Sequence, residues 1–211
     1  MYYPAGRLSK LKFSIYAGAA LAYLLQRQRD AAGLCLFDET VKTLTPVKST
    51  ATHINKIFTL LSAIGDKPAA GTSRVSQILH EVAEQIHRRS LVIIFSDMFD
   101  SSESADDLFN ALQHLKHNKH EVIVFHVADH ETEKNFSFQD APATFIDLES
   151  GEKIKVNPAD IRQDYIASAH VFNHAIKMKC NQYKIDFAEV DVAHDFNTIL
   201  QTFLIKRSKM K

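Results

Sequence analysis

Ser90-Leu91-Val92-Ile93-Ile94-Phe95-Ser96-Asp97-Met98-Phe99-Asp100 decides how the rest of the chain is read. Five apolar residues in a row, Leu91–Phe95, are followed at once by polar turn residues. An antiparallel strand with one wet face alternates, whereas a continuous run suits a parallel strand covered on both faces. Outward from it, Val122–Val127 reads as a second buried strand and Ile185–Val190 as a third strand. Between them lie helical patterns: Ala105–Lys116 carries Leu108, Phe109, Leu112 and Leu115 on one side, and Asn157-Pro158 opens a helix reaching Gln182. Strands separated by helical crossovers imply an α/β domain of three layers, a mostly parallel sheet with helices on both faces.

The flanks fill in the order. Ser9–Ala31 reads as a helix that is apolar over most of its circumference, so it is expected to be buried on more than one side, and Gly33 is expected to stop it. Leu34–Phe37 and Val41–Pro46 read as a hairpin, Thr52–Ile64 and Ser73–His87 as amphipathic helices. Ala143–Leu148 and Lys153–Val156 flank Glu149-Ser150-Gly151-Glu152 as a second hairpin, and Phe196–Ile205 closes the chain as a helix. Residues 1–205 are thus expected to form a single domain, with 206–211 as a frayed, solvated basic tail.

Composition excludes several classes. The chain has 211 residues, 45% apolar and 24% charged, which is ordinary globular usage. Lys plus Arg and Asp plus Glu both number 25, so overall charge gives no reason to expect nucleic acid or an anionic membrane as partner. The longest apolar stretch, Phe13–Leu25, is interrupted by Ser14 and falls short of the roughly 20 residues a spanning helix needs. Cys35 and Cys180 form no CxxC pair, and Cys35 sits in an apolar strand as a core residue. A soluble cytoplasmic protein is the expectation.

The chemistry-bearing residues gather after Leu91–Phe95. Asp97 lies where ligands bind in open α/β sheets, outside the carboxyl end of a strand. It either caps the following turn or offers a carboxylate to a loop or a hard cation. Thr72 and Ser73, in Gly71-Thr72-Ser73-Arg74-Val75, are natural helix caps, or else hydroxyl ligands reaching the same edge. Asp100, Glu103, Asp106 and Asp107 make that edge acidic, the last two as favourable charge at a helix start. His170 and His174 share a helix face but lack the glutamate of HExxH, and His114, His117 and His120 crowd a helix end; a histidine metal site is not expected. GxGxxG, GxxxxGK[ST] and GxSxG are all absent.

A family resemblance rests on order and spacing. Ala19-Ala20-Leu21-Ala22-Tyr23-Leu24, Gln26-Arg27-Gln28-Arg29-Asp30, Gly33-Leu34-Cys35-Leu36-Phe37-Asp38, Gly71–Leu79, Arg89–Asp97, His120–Asp129, Phe145–Glu152 and Ile185-Asp186-Phe187 together resemble the bacterial family called domain of unknown function 58. The resemblance implies a von Willebrand factor A-like, Rossmann-like fold. It also implies a metal-ion-dependent adhesion site, to which Asp97 and Ser73 (or Thr72) would contribute. The Asp-x-Ser-x-Ser loop and the first strand of such a domain are not found, and Met1 falls where the family's Ser-Met follows that strand. The chain thus resembles the C-terminal part of a longer member. No cofactor is expected in the chain as given, and magnesium only if the missing loop is supplied. The functional expectation is a non-enzymatic interaction or adaptor module acting with a MoxR-type AAA+ ATPase in protein assembly or maturation, with self-association possible. A metal-dependent α/β hydrolase using Asp97, or a fragment without activity of its own, are the alternatives. With the first strand absent, Leu34–Phe37 and Leu91–Phe95 are expected to pair directly, or through a second copy.

Overall fold

The computed structural model describes residues 1–4, 6–38, 40–64, 75–97, 105–146, 151–194 and 196–209. In chain order the elements are α1 (Lys10–Arg27), β1 (Cys35–Phe37), β2 (Val41–Leu44), α2 (Ala51–Ser62), α3 (Val75–Gln85), β3 (Leu91–Ser96), α4 (Ala105–His117) and β4 (Glu121–Ala128). After a wide helical turn at His130–Lys134 come β5 (Ala143–Ile146), β6 (Lys153–Val156), α5 (Pro158–Gln182), β7 (Asp186–Asp191) and α6 (Phe196–Lys209).

Leu91–Phe95, Val122–Val127 and Ile185–Val190 form the strands of one parallel sheet in the order β3-β4-β7. Leu91 lies opposite Glu121 and Ser96 opposite His126; Ile123 lies opposite Asp186 and Ala128 opposite Asp191. Strand β4 is central, and every residue from Val122 to Ala128 is buried. Its alternation divides the core in two. Val122 and Val124 point to one face, where they join Leu79 and Ala83 of α3, Phe109 and Leu112 of α4, and Ile176 and Cys180 of α5. Ile123, Phe125 and Val127 point to the other, among Phe13, Ala17 and Leu21 of α1 and Ile199 and Phe203 of α6. Helices therefore cover both faces, the three-layer arrangement that uninterrupted apolar strands require. Each fully buried side chain of this size is worth about 1.5–3 kcal/mol.

Strands β1 and β2 form a separate antiparallel hairpin, and so do β5 and β6. This corrects the first of the two expectations, that Leu34–Phe37 pairs directly with Leu91–Phe95: β1 is laddered to β2, and β3 to β4. The reason lies in a third core cluster. Leu34 and Leu36 pack against Ala22 of α1 and Ile54, Ile57 and Leu61 of α2, so the hairpin buries its apolar side without joining the sheet. As a result β1 stays half-buried throughout, and within β3 only Ile94 is fully buried.

Helix α1 is buried on two sides, by the sheet with α6 and by α2 with the hairpin. Tyr16 and Tyr23 stand outside both contacts, 57% and 51% exposed. The helix stops at Arg27 rather than running to Ala31. Arg29 adopts φ +59°, the Arg29 N–H donates to the Gln26 carbonyl, and the Asp30 N–H to the Leu25 carbonyl. That is a Schellman closure made without glycine, so Gly33 is not the stop signal. The basic end is also ordered further than expected. Helix α6 continues to Lys209, Lys206 bridges Glu121 and Asp186 at 2.6 and 2.8 Å, and Arg207 pairs with Asp30. These ion pairs hold residues that composition alone reads as a solvated tail.

Candidate functional site at the C-terminal edge of the sheet

Residues 1–4 fold back over the start of α1. The Lys10 N–H donates to the Tyr3 carbonyl at 2.9 Å and the Leu11 N–H to the Met1 carbonyl at 2.7 Å, while the Ser9 hydroxyl accepts from the Lys12 N–H at 3.3 Å. Three of the helix's orphan N–H groups are thereby satisfied. This packing drives Lys10 inward: its side chain is 4% exposed. A buried ammonium needs partners, and it finds two. Lys10 Nζ lies 3.2 Å from Asp97 Oδ2, beyond the end of β3, and 2.6 Å from Glu133 Oε1 in the turn after β4. The Met1 amino nitrogen lies 2.7 Å from the same Asp97 oxygen.

The network extends across the sheet edge. The second Glu133 oxygen accepts from the Asp129 N–H at 2.9 Å, and the Glu133 carbonyl accepts from the Tyr165 hydroxyl at 3.1 Å. Asp129, which is buried, accepts from the Thr132 hydroxyl at 2.7 Å and faces Arg7, whose other nitrogen bonds Glu131 at 2.6 Å. His126, buried in β4, sits with Nε2 2.9 Å from the Asp97 carbonyl. At the end of β7, Glu189 lies between His130 and Lys134 at 3.2 and 2.7 Å, and Asp191 meets His194 at 3.0 Å.

Charge pairing sets the protonation of these groups. Burial works against an ionised Asp97, but Lys10 and the Met1 amino nitrogen outweigh it and hold the carboxyl below its usual range. Burial likewise opposes the charge on Lys10, and Asp97 and Glu133 overcome it, so its pKa is raised. His130 at 3.2 Å and Lys134 at 2.7 Å, with burial opposing, take Glu189 down to about 2. For Asp191, burial is overcome by hydrogen bonds from His194 and from two backbone N–H groups, and its pKa falls. His126 is pushed down by burial. A general base works best with a pKa near the operating pH; these carboxylates are displaced the other way.

Of the residues singled out from sequence, Asp97 stands where expected. Thr72, Ser73, Asp100 and Glu103 lie outside the described residues. Asp106 pairs with Lys179. The His170 and His174 rings are parallel, 6.5 Å apart. The histidines near the end of α4 diverge: His114 faces His80, His117 is exposed, and buried His120 accepts from the Ser90 N–H at 3.2 Å. Burial raises both thiols, Cys35 and Cys180, to about 11, which keeps them protonated and poorly nucleophilic. Among the described residues no group of three or more His, Cys, Asp or Glu side chains is arranged to hold a metal ion. Asp97 Oδ2 itself lies 3.2 Å from the Lys10 ammonium. Sequence reasoning missed Lys10, Glu133, Asp129, Glu189 and Asp191. Asp129 and Asp191 could have been found by the rule that picked out Asp97, since each stands at the carboxyl end of a parallel strand.

The conserved hypothetical protein BatB from Bacteroides thetaiotaomicron is similar in structure, with a TM-score of 0.56 and 15% identity over 94% of this chain and 88% of that one. An aerotolerance-related membrane protein from Bacteroides fragilis NCTC 9343, carrying multiple mutations to serines, matches with a TM-score of 0.48 and 15% identity over 89% of this chain and 86% of that one. At this identity the BatB likeness speaks to the fold alone. No curated protein matches. Among the described residues no helix is long and apolar enough to cross a membrane. The family model described as "Protein of unknown function DUF58" matches residues 1–175, and the chain belongs to that family.

Proposed function

We propose that this chain is a non-enzymatic interaction or adaptor module of the von Willebrand factor A-like type, which works in the cytoplasm with a MoxR-type AAA+ ATPase during assembly or maturation of other proteins. The observation that carries the reading is the state of the acids at the carboxyl edge of the sheet. Asp97, Asp129, Glu133, Glu189 and Asp191 are each tied to a cation, a histidine or backbone N–H groups. Of these, Asp97, Glu189 and Asp191 are held below their usual range, whereas catalysis of proton transfer calls for an acid poised near neutrality. The three-layer parallel core and the BatB likeness support the von Willebrand A-like reading. The ATPase partnership rests on membership of the family.

The test is binding of the purified chain to the MoxR-type ATPase of the same organism, measured with and without ATP and alongside a phosphoester panel in magnesium. Saturable binding that depends on the ATPase nucleotide state, with no turnover, is expected. Phosphoester turnover lost in Asp97→Ala, without ATPase binding, overturns the proposal in favour of a metal-dependent hydrolase.

A further inference from the structure

We infer that the outer edge of β3 is a self-pairing surface, at which a second copy of this chain adds its own β3 antiparallel, giving one continuous sheet in the order β7-β4-β3-β3-β4-β7. Strand β3 ends the sheet on one side and β7 on the other. Among the described residues no strand pairs with the outer side of either. The two edges are built differently. Strand β7 carries Asp186, Glu189 and Asp191, and Lys206 and Lys134 meet the first two at 2.8 and 2.7 Å. Charges along an edge keep it from pairing with another copy. Strand β3, Leu91–Ser96, has no charge, proline or glycine, and its ladder runs from Leu91 to Ser96 without a bulge.

Ladder geometry says which backbone groups face outward. The Glu121 N–H donates to the Ser90 carbonyl at 3.0 Å, and Glu121 stands opposite Leu91. In a parallel ladder alternate residues of a strand turn their N–H and C=O to the same neighbour. Val92 and Ile94 therefore spend theirs on β4, while Leu91, Ile93 and Phe95 direct theirs away from it. Burial agrees. Both faces of β3 are covered, Leu91, Ile93 and Phe95 by the layer of α1 and α6, Val92 and Ile94 by that of α3 and α4. Yet only Ile94 is fully buried, whereas in β4, flanked by a strand on each side, every residue from Val122 to Ala128 is. What β3 lacks is a lateral neighbour. An uncharged edge of β-branched and aromatic residues is the template that strand addition uses.

Register points to a second copy as the occupant. With β3 set antiparallel to itself and Ile93 on the two-fold axis, Ile93 faces Ile93, and Leu91 faces Phe95 on either side. Each of these is a hydrogen-bonded pair that exchanges both N–H···O bonds. Every outward N–H and C=O of Leu91, Ile93 and Phe95 is then used in both copies. The pairing is isologous, since Leu91 meets Phe95 as Phe95 meets Leu91. An axis perpendicular to the sheet keeps the α1 and α6 layers of both copies on one side, so the cross-strand neighbours are apolar, a stabilising kind of pair. The arrangement also closes. Both β3 edges are consumed, the outer edges left are those of β7 with their charges, and pairing stops at two copies. The surface runs along the strand, apart from the charge network at its end, and does not rest on the proposed ATPase partnership.

The test is sedimentation of the full chain from low micromolar to several hundred micromolar, with residue-resolved amide hydrogen exchange at both ends of that range. A monomer–dimer equilibrium is expected. The Val92 and Ile94 amides should be protected throughout, because β4 holds them. The Leu91, Ile93 and Phe95 amides should exchange fast in the monomer and gain at least about tenfold protection in the dimer. Ile93→Pro removes an outward donor and leaves the ladder to β4 in place, a setting in which an edge strand tolerates proline. Its dimer dissociation constant should rise at least about tenfold while the Val92 and Ile94 amides stay protected. Circular dichroism checks that the variant is folded, and the alternating exchange of the wild type decides the matter without it. A monomer at every concentration overturns the inference. So does a dimer in which the three outward amides still exchange fast, which puts its interface elsewhere. Protection of those amides in the monomer also overturns it, because another part of the same chain then covers the edge.

Discussion

Replacing Lys10 with methionine is expected to cost about 3 kcal/mol at pH 7, and the cost should shrink in acid. Methionine keeps the length of the buried stem and removes only the charge. Lys10 Nζ is 3.2 Å from Asp97 Oδ2 and 2.6 Å from Glu133 Oε1, and the side chains of the two acids are 20% and 18% exposed. Removing one partner of a buried ion pair costs about 3–5 kcal/mol, because the remaining charge is left without compensation. The residual exposure of both acids places this case at the low end, and the Met1 amino nitrogen still faces Asp97. At about 2–4 °C per kcal/mol for a chain of this size, Tm should fall by roughly 6–12 °C. The pH dependence follows in sign. In the wild type the Asp97 pKa is depressed, so its contribution is present above the unfolded value near about 3.9 and is lost as pH falls through the folded value. The gap between variant and wild type should therefore hold from pH 7 to pH 5 and narrow as pH falls below about 4. Urea unfolding followed by circular dichroism reads this directly, and adding Glu133→Gln to Lys10→Met should recover part of the loss. A loss below about 1 kcal/mol at pH 7, or a gap that stays of equal size down to about pH 2, would refute the view of Lys10 as the counter-charge that holds this edge together.

Glu189, held down to about 2, contributes stability that is present above its unfolded value near about 4.3 and is lost as pH falls towards 2. In Glu189→Gln the acid limb of a pH–stability curve should be shallower than in the wild type across that window; superimposable limbs would contradict the assignment. Tyr16→Glu and Tyr23→Glu, at positions 57% and 51% exposed, should each change stability by no more than about 0.5 kcal/mol. If α1 carries a self-association surface, either substitution should reduce the mass measured by light scattering while the fold is kept; unfolding of an already monomeric parent would place the rings in the core. Magnesium and manganese should bind no tighter than roughly millimolar, since Asp97 already faces Lys10 and six oxygen ligands are wanted. A rise of many degrees in Tm with micromolar manganese, lost in Asp97→Ala, would contradict this.

The fold was readable where one physical rule dominated. Runs such as Leu91–Phe95 and Val122–Val127 have no polar face, so they had to be covered on both sides, and α1, α6 on one face and α3, α4, α5 on the other do so. Amphipathic spacing placed α2, α3 and α4 to within a few residues. The misreadings came from choices made in three dimensions. Nothing local says that Arg29 will take the left-handed conformation usually left to glycine, because the closing hydrogen bonds to Leu25 and Gln26 are what hold it there. Nothing local says that Leu34 and Leu36 will prefer α1 and α2 over the sheet. The end of α6 is set by Asp30, Glu121 and Asp186, each from a different part of the chain.

The site divides along the same line. Asp97 could be picked out because topology puts the residue after a parallel strand at the functional edge, whatever its neighbours. Lys10 could not, because in Ser9-Lys10-Leu11-Lys12 it reads as one of two solvated lysines at a helix start. Only one of them is buried, and which one depends on the register of α1 against Met1 and Tyr3. Its partner Glu133 is 123 residues away, in a turn with no distinctive pattern. Equal totals of acids and bases say nothing of which charges meet. Yet the meeting sets the charge: Asp97 against a buried ammonium is held ionised below its usual range. A carboxylate read from topology becomes a functional assignment only once its counter-charge is known, and here that counter-charge comes from the first turn of the first helix.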